Sequence, residues 1–164
     1  MSNVIKANPL YSGADQPAVI GKIYEQLFDD SSGNTMVRYL RCFKAGSTVT
    51  AGQVLGAAVG ATFEMHTTGE CVPAADAGAL RNNVYGVALA DVASGSYGFA
   101  CCRGVVENVA SEAGTAEGDP IMVGATDGRV DDTAISSAGD SLKIIGTALS
   151  TVSSNAVTVY INVL

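Results

Sequence analysis

A mainly β fold is predicted for this 164-residue chain by three observations. Nineteen glycines interrupt it at short intervals, its 48% hydrophobic content is weighted to Ala and Val with no Trp, and one segment recurs further along. Small β-formers between frequent glycines suit short strands joined by tight turns. The same glycines would each cost a helix interior about 1 kcal/mol relative to Ala.

The recurring segment is 86–94 (GVALADVAS), which returns at 146–154 (GTALSTVSS) with Gly, Ala, Leu, Val and Ser in register. Each copy runs into a strand-like stretch, 97–103 in the first and 157–164 in the second. Upstream, 44–55 (KAGSTVTAGQVL) is similar to 112–122 (EAGTAEGDPIM). Two copies, about 44–104 and 112–164, predict two pseudo-repeated small β lobes or one β-barrel-like domain; two are too few for a solenoid.

The remaining elements follow from local pattern. Residues 1–20 read as an extended N-terminal arm, because Pro9 and Pro17 hold Asn8 and Gln16 in β or polyproline geometry. Its apolar residues predict docking, on its own body or on a partner. Residues 21–164 form the β-rich body. Within it, 29–34 (DDSSGN) is a turn between apolar segments. The first segment, 23–28, fits a strand or a short helix. Strands are expected near 36–43, 53–59, 84–90, 98–107, 120–123, 128–131, 143–149 and 156–163, with a short helix near 74–80. Asp127-Gly128 is a hairpin signal, since both positions tolerate positive φ.

Composition excludes several function classes. Nine basic against sixteen acidic residues give a charge of −7. Phosphate contacts by Lys and Arg dominate nucleic-acid affinity, and the cations are scattered, so direct binding to nucleic acid or to an anionic membrane is not expected. No apolar run approaches the roughly 18 residues of a spanning helix. The opening residues lack a signal-peptide pattern, which predicts synthesis in the cytoplasm. Cys42, Cys71, Cys101 and Cys102 are then expected as reduced thiols.

Chemistry is sparse. His66 is the single histidine. A zinc site from His66, Cys71 and Cys42 lacks the close paired spacing of structural sites. A Cys71–His66 nucleophile pair lacks any oxyanion signature. Asp127, Asp131 and Asp132 read as a solvated acidic hairpin before a cation site. The glycine-rich 56–60 lacks the third glycine of a dinucleotide fingerprint. No catalytic residue, cofactor or metal is therefore expected, and no enzyme.

The second half carries a family resemblance. Residues 104–122 (GVVENVASEAGTAEGDPIM), then 127–130 (DGRV), 144–149 (IIGTAL) and 156–163 (AVTVYINV) resemble the capsid decoration, or cement, proteins of tailed phages. The resemblance implies a virion protein on the capsid exterior that clamps neighbouring capsid subunits together against internal DNA pressure. It implies the major capsid protein as partner, and a homo-oligomer, a trimer before a dimer. It also implies an arm that contacts the shell, for which Val4, Ile5, Leu10 and Tyr11 are the expected capsid-binding residues. An apolar arm can add main-chain hydrogen bonds to an exposed sheet edge. The turn at 31–34 and the segment 62–68 are lesser candidates. Alternative readings are another virion component, a head fibre base or tail part, and a non-catalytic carbohydrate-binding β module. The missing Trp counts against a sugar platform.

Overall fold

The computed structural model describes residues 9–58, 62–75, 80–133 and 139–164. The fold is mainly β: one mixed ten-stranded sheet with very little helix. The strands are β1 (Ile23–Asp29), β2 (Thr35–Ala45), β3 (Val54–Gly56), β4 (Glu70–Pro73), β5 (Val84–Ala88), β6 (Tyr97–Ala110), β7 (Pro120–Val123), β8 (Val130–Asp132), β9 (Gly146–Ala148) and β10 (Ala156–Asn162). Helix α1 spans Thr62–Thr68, and 3-10 turns lie at Arg81–Asn83 and Asp140–Leu142.

The sheet closes on itself. Along it the order is β1-β2-β4-β3-β5-β6-β10-β9-β7-β8, and β2 also pairs with β6. The strands β2, β4, β3, β5 and the first half of β6 thus form a ring, with Leu40 opposite Cys101 at one seam and Ala45 beside Cys71 at the parallel β2–β4 seam. The second half of β6 pairs with β10, which leads through β9 and β7 to β8. A parallel bridge between Ser111 and Val130 joins β8 back to the end of β6.

Positions that recur in the sequence pair in the same way. Leu55 faces Gly86 as Ile121 faces Gly146. Gly52 N donates to Ala88 O at 2.9 Å, and Gly118 N to Ala148 O at 2.9 Å. Even the preceding turns match: Thr50 N donates to Gln53 Oε1 and Ala116 N to Asp119 Oδ2, both at 2.8 Å. The insides differ in polarity. Where the first unit buries Ala45 and Val49, the second buries Ser111 and Thr115, whose hydroxyls bond to each other at 3.1 Å. Buried polar groups require such partners.

Alternate residues of the first ring divide between two cores, as the period of a strand dictates. Phe43, Ala45, Leu55, Cys71, Tyr85 and Ala100 form one cluster. Cys42, Val54, Val87 and Phe99 join a second, which continues through Ile121, Val130, Ile145 and Ile161. Strand β5 and residues 98–102 of β6 are accordingly buried without a break. That is the signature of a strand covered on both faces. Backbone bonds fasten the rings: Ala110 N to Gly52 O at 3.0 Å, Val54 N to Gly128 O and Gly128 N to Ala74 O, both at 2.8 Å. The Asp127-Gly128 turn therefore docks on the first ring as well as closing its own hairpin.

Segment 23–28 is strand, as the strand–turn–strand pattern of 21–40 implies, and its helical alternative falls away. Several other expectations need correction. The runs expected at 53–59, whose last residue lies outside the described ones, and at 143–149 shrink to β3 and β9, each with only three residues of ladder. The helix expected near 74–80 falls largely on 76–79, outside the described residues, and residues 74, 75 and 80 are not helical. Helix α1 and strand β4 were not foreseen. A seven-residue helix has too few turns for a periodic signal; this one is held by fully buried Met65 and ended by Gly69 at φ +65, whose N–H bonds Met65 O.

Gly104 sits where β6 passes from one ring to the next. Its φ is +121, and a Cβ there would come within 2.8 Å of Arg38 Cβ and 2.9 Å of Arg38 Cα. Gly33, also at positive φ, has open space around it. The substitution Gly104→Ala should cost at least about 2 kcal/mol, and Gly33→Ala only about 1 kcal/mol, the strain of the backbone alone. Urea unfolding of the two variants checks this; equal losses would show that Gly104 is needed for its φ and not for the close approach.

Candidate interaction surface

The arm is tied to the body over its described part. Gly13 and Tyr97 exchange backbone hydrogen bonds at 3.2 and 2.7 Å. Val19 N donates to Tyr24 Oη at 2.9 Å. Tyr11, Ala18 and Ile20 pack against the larger core. Of the four expected contact residues, Val4 and Ile5 lie outside the described residues. Tyr11 turns inward, its hydroxyl donating to Asp15 O at 2.8 Å. Leu10 is 58% exposed and stands at the mouth of a groove of about 480 Å³.

The β1–β2 hairpin forms the opposite wall of that groove. Phe28 and Arg38 line it, the guanidinium lying 4.3 Å from the ring centroid while its Nε donates to Gln26 Oε1 at 2.7 Å. Glu107 closes the floor and accepts from Ser31 N at 2.9 Å, which holds the hairpin tip. The tip itself is an Asp30-centred turn, Oδ1 accepting from Ser32 N and Asn34 N. These bonds keep the Asp30 carboxyl below its ordinary value, Asn34 contributing most. The lesser candidates separate: 31–34 is this exposed tip, whereas 62–68 is helix α1, from which His66 projects.

Sequence reasoning missed the hairpin's other face. Strand β1 pairs with β2 alone, so its outer edge carries no partner strand among the described residues. Leu27 is 62% exposed and sits directly across from Val37, 42% exposed. From Val37 the face continues to Tyr39, then to Arg103, whose guanidinium lies 5.9 Å from the Tyr39 ring centroid. Arg103 Nε donates to Tyr160 Oη at 3.3 Å. The alternation of Ile23, Leu27 and Val37 with inward Tyr24, Phe28 and Leu40 was the available signal, obscured because apolar residues occupy both faces of β1. An exposed apolar edge strand is a ready site for association.

Among the described residues no three His, Cys, Asp or Glu side chains come together as metal ligands. The four cysteines are buried, unpaired thiols. Burial pushes Cys42 and Cys102 up to about 11 and Cys101 to about 12, with Cys71 higher still. Thiolate is the reactive form, so these groups are inert in the native state.

The unfolded thiols lose protons near 9.0 while the folded ones keep them, so their contribution to stability is full below that value and is lost as pH rises toward 11–12. A thiol reagent at pH 8 should label none of the four until denaturant is added, and the melting temperature should fall between pH 9 and 11. Rapid native labelling would contradict the burial.

Comparison with solved structures finds the fold again. The N-terminal base of the head fibre gp8.5 of bacteriophage phi29 superimposes with a TM-score of 0.53 at 20% identity. The match covers 76% of this chain and 93% of that one. No protein-family model matches the chain, and no curated protein matches its sequence.

Proposed function

We propose that this chain is a non-catalytic structural component of a tailed-phage head, seated on the outside of the shell in the manner of a head fibre base. The observation that carries the reading is the shared fold, which extends over nearly the whole of the phi29 fibre base. At 20% identity the likeness speaks for architecture; the absence of assembled catalytic groups among the described residues is compatible with it. The fibre-base role, an alternative on sequence alone, here takes precedence over the cement role. The second reading, a cement protein that clamps capsid subunits, keeps the support of the motifs at 104–122 and 156–163.

The proposed partner is the major capsid protein, engaged without direct contact to nucleic acid, and the proposed assembly is a homo-oligomer, a trimer before a dimer. Several modest contacts per oligomer would then act together, each raising the effective concentration of the next. The Leu27/Val37 face is the proposed contact surface, and Leu10, on the other side of the hairpin, together with Val4 and Ile5 of the arm is proposed as a second one. Tyr11 serves instead to hold the arm on the body.

The test is co-sedimentation with expanded heads that lack the protein. Binding is expected, and the double variant Leu27→Lys/Val37→Glu, whose opposite charges face each other across the ladder, should weaken it by at least about tenfold while melting close to the wild type, since both side chains are exposed. Deletion of residues 2–10, which spares Tyr11 and the Gly13–Tyr97 pairing, should weaken it too. A chain that ignores heads would sink both readings. A rise in the melting temperature of the heads themselves would favour cement over fibre base.

A further inference from the structure

A smaller pocket, of about 270 Å³, opens beside the first ring, where Arg41 pairs with Ile23 at the far end of the hairpin from Leu27 and Val37. Its wall contains Arg41 of β2, His66 of α1, Asn82, Tyr85 of β5 and Val163, and no carboxylate among the described residues. Arg41 lies over the Tyr85 ring, 5.5 Å from its centroid. The ring is itself fixed, its hydroxyl donating to Cys42 O at 2.7 Å. His66 Nε2 is 3.1 Å from Asn82 O, which positions the imidazole at the rim.

Two features of Arg41 are unusual. Its Nε is buried and has no hydrogen-bond partner. Nor does it take part in an ion pair: those found among the described residues join Lys44 to Glu70 and Lys143 to Asp140. A guanidinium held on an aromatic face, with a buried donor unused and no ion-pair partner among the described residues, stands out in a chain of net charge −7. Buried donors in folded proteins are almost always satisfied, by protein, water or ligand.

We propose that this pocket binds a carboxylate, received by the Arg41 guanidinium with His66 and Asn82 at the entrance. The planar fork of a guanidinium matches a carboxylate through two parallel hydrogen bonds. The Tyr85 ring and the Val163 side chain give the pocket apolar walls for a short aliphatic stem. A phosphate dianion fits less well, since a single fixed cation would face two charges. The carboxylate is either that of a free small acid or that of a Glu or Asp side chain on another polypeptide. The assignment does not rest on the phage-head reading, and isolated protein suffices to test it.

The experiment follows the Arg41 Nε–H resonance of ¹⁵N-labelled protein during titration with sodium acetate, with the capped tripeptide acetyl-Gly-Glu-Gly-amide, with phosphate and with chloride at matched ionic strength. A saturable shift with the carboxylates, with a dissociation constant on the order of millimolar, is expected, and none with chloride. Tighter binding of the tripeptide than of acetate identifies a polypeptide source; the reverse identifies a free acid. Arg41→Lys, which keeps the charge and loses the fork, should weaken binding by about tenfold. If that variant fails to fold, His66→Ala, at an exposed position, should weaken it with an unchanged melting temperature. A response equal in chloride, a stronger response to phosphate, or undiminished binding in the variants overturns the assignment.

Discussion

Everything in this fold depends on one strand serving two rings. Strand β6 runs from Tyr97 to Ala110, far longer than β3, β8 or β9, and its two halves have different partners. The first half lies between β2 and β5, the second beside β10. Such a strand needs small or β-branched residues on both faces through its buried part and a point where its course can change. Gly98, Ala100, Cys101 and Cys102 meet the first need, and Gly104, pressed against Arg38, meets the second. The cysteines belong to this requirement; they are compact apolar side chains in a crowded wall.

Closure explains how a chain of short strands with 48% hydrophobic residues covers its strand edges. Three-residue ladders have little stability alone, and a ring gives each of them two neighbours and no edge. The hairpin β1–β2 is the exception, since β1 lies outside the ring and keeps an open side. Its inner face is committed to the protein through Tyr24, which meets Phe99 edge-on at 6.4 Å, and through Phe28 and Arg38. Its outer face is therefore free to serve an interaction without disturbing the core.

The mainly β class was legible in the sequence because glycine spacing and small β-formers report directly on short strands. The recurrence of 86–94 at 146–154 was legible because Gly86 and Gly146 occupy the same kind of position: a Cβ at either would collide with a carbonyl of the neighbouring strand, Cys101 or Tyr160. What stayed hidden was set by tertiary packing. Strand β4 has four residues and a terminal Pro, so no alternation can be read from it. The inward turn of Tyr11 depends on the Gly13–Tyr97 pairing, a contact between distant residues that neither segment announces. The seating of Arg41 on the Tyr85 ring is likewise a contact between distant residues, which no local pattern encodes.

Sharing β6 also sets an order of events on the ribosome. The first half of the strand finds β2 and β5 already made when it emerges, so the first ring can close at once. The second half, with Val105, Val106 and Val109, emerges with no partner and waits for residues 156–162 to be made before β10 can cover it. Domains fold as their segments leave the exit tunnel, N-terminal parts first. For that interval the nascent chain presents a finished ring trailing an unpaired apolar strand, the state in which it is most open to pairing with a neighbouring nascent copy.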